Sequence, residues 1–218
     1  MRITDATYYQ QGIKFIPDVK VTGTPVQGVP TNNTVSKLEH FIDVNERLLL
    51  LSFLNVDLYN EFELAIQDLP NADVKWQSLV EGTTYIKDGE KYIFDGLRGY
   101  SKDSLVAYFV FCEYLKNDNS YYSTSGIVKI KDKNAAMFDP TSKYIECYYA
   151  FLNKYQDNYS NQYPDYYVNT DGSMGIDYYG VNNDSKVVTL ETFLRDNASD
   201  YEGYEFKRFE TVNSFGIW

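Results

Sequence analysis

LVAYFVFCEYLK, residues 105–116, is the stretch that decides the fold. Leu105, Tyr108, Phe109, Cys112 and Leu115 recur at intervals of three and four, the repeat of one helical face, while Val106, Val110 and Phe111 fill the other side. A helix that is apolar on nearly every side has to be surrounded, so this one is expected at the centre of a helical domain.

Working outward, TSKYIECYYAFLNKY from Thr141 repeats the pattern through Tyr144, Ile145, Tyr148, Phe151, Leu152 and Tyr155. Asp139 and Pro140 suit its start, because Asp accepts from free helical N–H groups and Pro lacks one that would otherwise go unpaired. Upstream, Leu38 to Leu69 holds two helical segments, with Asp57 placed to cap the second. Its run from Leu48 to Leu54 is apolar all round and is expected to be covered on more than one face. Val74 to Val80 reads as a short helix closed by Gly82. TTYIKDGEKYIF, residues 83–94, reads as a hairpin turning at Asp88-Gly89 and projecting from the body.

The fold class is therefore mainly α, a helical bundle with inserted β-hairpins and extended N- and C-terminal arms. Residues 1–34 read as an extended N-terminal arm, since VTGTPVQGVPTNNT carries two prolines, two glycines and no charge. The helical domain spans 35–159. STSGIVKIK offers a loop and a short strand between its two strongest helices. Residues 160–205 form a Tyr-rich acidic segment with a hairpin about Asp171-Gly172 and a helix from Thr189 to Arg195. The tail 206–218, FKRFETVNSFGIW, presents Phe206, Phe209, Phe215, Ile217 and Trp218 as an interface.

Composition narrows the chemistry. The 22 Tyr and 13 Phe against 2 Trp put much of the apolar content into rings suited to protein interfaces. A net charge of -11 opposes general binding to the nucleic-acid backbone. His40 is the single histidine, so a Ser-His-Asp or Cys-His arrangement would have to use it, and it lies on a helical pattern beside apolar residues. Cys112 and Cys147 each sit on an apolar helical face and read as buried thiols; with one histidine they do not make a zinc site. DKNAAMFD lacks the turn glycine and final glutamate of a calcium loop, and no glycine-rich phosphate cradle follows a strand. No catalytic, cofactor or metal residues are assigned, and the chain reads as non-enzymatic. MRITDATYY lacks the apolar centre of a secretory signal, and no window offers the roughly 18 apolar residues of a membrane span, so a cytoplasmic origin without membrane contact is expected. Tyr and acid clusters leave a carbohydrate-binding module as the alternative.

Several segments in order carry a family likeness: Trp76 followed by LVEG, Tyr85, FDGLRGY from Phe94, AYFVFCEYLKN from Ala107, STSGIVK from Ser123, SKYIECYYAFLNKY from Ser142, and the terminal NSFGI. In this arrangement the chain resembles the head-to-tail adaptor, or ring, proteins of tailed bacteriophages, particularly those of crAss-like phages and of prophages in gut Bacteroidetes. The likeness covers about residues 36–158 and the last few. It implies a virion protein of the neck, a helical adaptor domain repeated in a dodecameric ring beneath the portal. Its partners would be the portal and other neck or tail proteins, with genomic DNA passing through an unreactive channel.

Overall fold

A computed structural model describes residues 2–16, 33–118, 121–123, 126–128, 140–157, 166–168, 174–176 and 185–210. The described residues are mainly helical: α1 (Asn33–Leu50), α2 (Val56–Ala65), α3 (Val74–Glu81), α4 (Leu105–Asp118), α5 (Pro140–Tyr155) and α6 (Leu190–Asp196). The strands are β1 (Thr83–Lys87), β2 (Glu90–Phe94), β3 (Tyr121–Ser123), β4 (Gly126–Val128), β5 (Tyr166–Val168), β6 (Met174–Ile176) and β7 (Ser185–Val187).

The central helix is α4. Leu105, Val106, Ala107, Phe109, Val110, Phe111 and Cys112 are all buried, against α5 on one side and α1 on another. Each large apolar side chain taken out of water contributes about 1.5–3 kcal/mol, so this helix alone accounts for much of the driving force. Its rings interlock with those of α5: Phe109 and Phe151 lie 5.3 Å apart, and Phe151 and Tyr155 5.0 Å apart. α5 begins at Pro140 as expected, while Asp139 lies outside the described residues.

The expected N-terminal arm is corrected by residues 2–16. They form two 3-10 turns, Ala6–Tyr9 and Gly12–Lys14, and bury Ile3, Ala6, Tyr9 and Ile16 in the core. The physical reason is a carboxylate on α1. Glu46 is buried and accepts from the Ile3 N–H at 3.0 Å, the Thr4 N–H at 2.7 Å and the Thr4 hydroxyl at 2.6 Å. Arg2 donates to Asp43 at 2.5 Å, and the Lys14 ammonium sits 3.9 Å over the Tyr108 ring of α4. Asn33 and Thr34 already belong to α1, and residues 17–32 lie outside the described residues.

Three local expectations also change. Asn55, not Asp57, caps α2: its side chain accepts from the Leu58 N–H at 2.8 Å, and Asp57 occupies the first turn, where a carboxylate still favours the helix dipole. α1 stops at Leu50 within the run expected to be covered on more than one face; Leu49, Leu50, Phe53 and Leu54 are buried, while Leu48 (57%) and Leu51 (38%) leave one side exposed. The hairpin does turn at Asp88 (φ 53°) and Gly89 (φ 83°), two left-handed residues whose twist suits paired strands. It does not project. β7 runs parallel beside β2, with Ile93 opposite Val187, giving the order β1-β2-β7, and Phe94 stacks on Phe193 of α6 at 4.2 Å.

The FDGLRGY turn locks this sheet to α3. The Leu97 N–H donates to the Leu79 carbonyl at 2.9 Å and the Arg98 N–H to the Val80 carbonyl at 3.0 Å. Such close approach needs glycine: a Cβ on Gly82 (φ 89°) would stand 2.5 Å from the Phe94 carbonyl oxygen. Elsewhere β3 pairs with β4 and β5 with β6, both antiparallel, while Asp171-Gly172 falls outside the described residues.

Glu46 supplies the first test. Glu46→Ala leaves two buried backbone donors without an acceptor and is expected to lower unfolding free energy by about 2–4 kcal/mol in urea titrations. Burial, opposed by the three hydrogen bonds, raises the Glu46 carboxyl above its ordinary value. Folding thus favours its protonated form. Its contribution is complete below the ordinary carboxylate range and is lost as pH rises through the raised value. The stability advantage of the native protein over Glu46→Gln is expected to shrink as pH increases, and a gap that widens instead would contradict this assignment.

Candidate functional site

The single histidine and the two cysteines lie apart in exposure. His40 is exposed on α1. Cys112 of α4 and Cys147 of α5 are buried free thiols; burial pushes Cys112 up strongly and Cys147 to about 12, away from the reactive thiolate. Among the described residues no three His, Cys, Asp or Glu side chains cluster as metal ligands, and no helix is long and apolar enough to cross a membrane. DKNAAMFD lies outside the described residues.

Many acids are tied to named donors. Asp157 accepts from the hydroxyls of Thr189 at 2.6 Å and Thr192 at 2.7 Å and from Arg195 at 3.0 Å. Burial works to raise its pKa, and these three donors outweigh that and hold it low. Asp103 behaves alike: burial opposes its ionisation, while hydrogen bonds from Lys154 and Tyr108 keep it below the ordinary range. These carboxylates brace one element against another.

Of the interface residues expected in the tail, Phe206 and Phe209 are brought together, but against the chain itself. Phe206 stacks on Tyr155 at 4.6 Å, and Phe209 meets Phe151 at 5.2 Å and Phe109 at 5.7 Å. Gln156 holds the same segment, its carbonyl accepting the Phe209 N–H at 2.8 Å and its amide donating to the Phe209 carbonyl at 3.0 Å. These two rings therefore belong to the domain's own packing. Phe215, Ile217 and Trp218 lie outside the described residues.

Among the described residues, two other surfaces are open. Val44 (43% exposed) and Leu48 on α1 and Leu51 in the turn just after it recur at four and three residues, an apolar stripe facing away from the buried Leu38, Ile42 and Leu49. In the sequence Leu48 and Leu51 are hidden within an apolar run, and only the fold separates them from the core positions. The second is a cleft of about 530 Å³ between α3, β1 and the loop after α6, with Tyr85, Phe193 and Tyr201 as its aromatic floor and Asp73, Ser78 and Asp200 on its margin. Its residues come from distant parts of the chain, so only tertiary structure assembles it.

The hydroxyls in the floor are engaged. Tyr85 donates to Asp196 at 2.9 Å and Tyr201 to the Lys75 carbonyl at 2.5 Å. Burial, then the bond to Asp196, raises Tyr85 beyond any acid-base role near neutrality. Compared with known protein families, with curated proteins and with solved structures, the chain finds no match in any of the three.

The buried thiols give a direct check. With the pKa of Cys147 at about 12, thiolate is scarce at mildly alkaline pH, and alkylation of the native protein by iodoacetamide is expected to be at least about tenfold slower than after denaturation. Equal rates, followed by mass spectrometry, would place both thiols at the surface.

Proposed function

We propose that this chain is a head-to-tail adaptor of a tailed bacteriophage: a structural, non-enzymatic virion subunit forming a twelvefold ring beneath the portal, joining capsid to tail around the DNA channel. The observation that carries the reading is the stripe of Val44, Leu48 and Leu51, apolar and exposed along the C-terminal end of α1 and the turn after it, where the opposite side is core. A contiguous apolar helix face on an acidic domain is a surface made to be covered, and lateral contact between ring subunits covers it. The net charge of -11 fits a wall that repels phosphates and lets the genome move. A carbohydrate-binding role would use the cleft, where Tyr85 stacks on Tyr92 and Phe193 on Phe94, so one face of each of these rings is already covered.

Light scattering and electron microscopy of the concentrated full chain test the ring. Annular particles of twelve 25.3 kDa subunits, about 300 kDa, are expected, and Leu48→Glu is expected to leave monomers. A monomeric mass at every concentration would remove this basis for the reading. In a gel-shift measurement at low salt, where electrostatic attraction is strongest, duplex DNA is expected to run unretarded. Salt-sensitive retardation would contradict the non-gripping wall.

A further inference from the structure

The sheet order β1-β2-β7 leaves β1 at an edge. The two-residue turn makes Lys87 and Glu90 a hydrogen-bonded pair, so by alternation Tyr85 and Thr83 also bond to β2. The backbone groups of Thr84 and Ile86 therefore point outward, and among the described residues nothing pairs with them. The cleft lies on the same side, since its lining includes Thr83 and Tyr85 of β1 and no residue of β2 or β7.

Edges of this kind are ordinarily blunted by charge or proline. Here the outer face carries Ile86, 76% exposed, and the one lysine on the strand, Lys87, is held by Asp196 at 2.5 Å. The edge is thus presented rather than protected. At the cleft margin Asp73 and Asp200 are exposed, while Lys75 pairs with Glu61 at 3.3 Å and lies over the Trp76 ring, which leaves the mouth acidic.

We propose that β1 and its cleft form a docking site for an extended, basic segment of a partner protein. The segment adds as a further strand through the Thr84 and Ile86 backbone groups. One of its apolar or aromatic side chains enters the cleft over Tyr85 and Tyr201, and a neighbouring Lys or Arg meets Asp73 and Asp200. This site is separate from the α1 stripe and does not depend on ring formation.

The test uses the full chain, isotope-labelled for NMR, and an acetylated, amidated peptide in which Val, Tyr and Val alternate with Lys. In the free protein the Thr84 and Ile86 amides are expected to exchange quickly, and those of Tyr85 and Lys87 slowly. Peptide at about ten times its dissociation constant is expected to slow Thr84 and Ile86 about tenfold. The same peptide with Glu for Lys is expected to bind more weakly. Ile86→Pro removes an outward N–H without touching the β1–β2 bonds, and Ser199→Trp fills the cleft from an exposed position; each is expected to abolish binding while the other sheet amides stay protected. Unchanged exchange at Thr84 and Ile86 under saturating peptide, or equal binding to Ser199→Trp, would overturn the proposal. So would chitohexaose shifting the cleft signals where the peptide does not, which would mark a glycan site instead.

Discussion

The structure depends on the need to surround α4. Seven of its first eight residues are buried, and a helix with no solvent face cannot be satisfied by a single neighbour. α5 and α1 cover two sides, and the chain ends supply the rest. Lys14 covers Tyr108 from the N-terminal segment, and Phe209 covers Phe109 from the C-terminal one. Both ends are then held by polar groups that belong to helices, Glu46 on α1 and Gln156 just after α5. Without those acceptors and donors, buried backbone groups of Ile3 and Thr4 and the part-buried backbone of Phe209 would lose their partners, at a cost in stability.

This explains which parts of the fold were legible in the sequence. Three-and-four spacing marked α4 and α5 because their cores are built from local repeats, and Asp88-Gly89 marked the hairpin because a tight turn needs two left-handed residues. The N-terminal segment gave no such sign. MRITDATYYQQGIKFI has no period, and its place is set by Glu46, about forty residues away in the chain. β7 was invisible for the same reason: a parallel partner arrives from anywhere, and three residues carry too little pattern. The preference for Asn55 over Asp57 as cap reflects a second task, since the Asn55 amide also donates to the Gly203 carbonyl at 2.7 Å and anchors the returning C-terminal segment. Of the expected interface, Phe206 and Phe209 looked available because nothing local covers them; Tyr155 and Phe151 do so from another element.

The acidity has two parts with different physics. Asp43, Asp103 and Asp157 are folded into the brace work, and all three titrate below their ordinary values; for Asp43 the hydrogen bond from Arg2 is the main cause. Their stabilisation is present above the ordinary carboxylate range and is lost as pH falls through the lowered values, opposite in sign to Glu46. Asp200 and Asp73 are exposed and set up a field felt by whatever approaches the cleft, although Asp73 also caps α3 by accepting from the Lys75 N–H at 2.9 Å.

The two open surfaces differ in the kind of partner each requires. The α1 stripe offers side chains and no free backbone, so another apolar face satisfies it by area alone. The β1 edge offers backbone donors and acceptors, and only an extended chain returns that pattern. Neither surface completes the other. A closed ring is built from two unlike patches per subunit. The exposed Val56 and Leu64 on α2 give the stripe an apolar counterpart on a separate element. In the ring proposed above, lateral contact through helices would leave β1 unused between subunits, open to a separate partner.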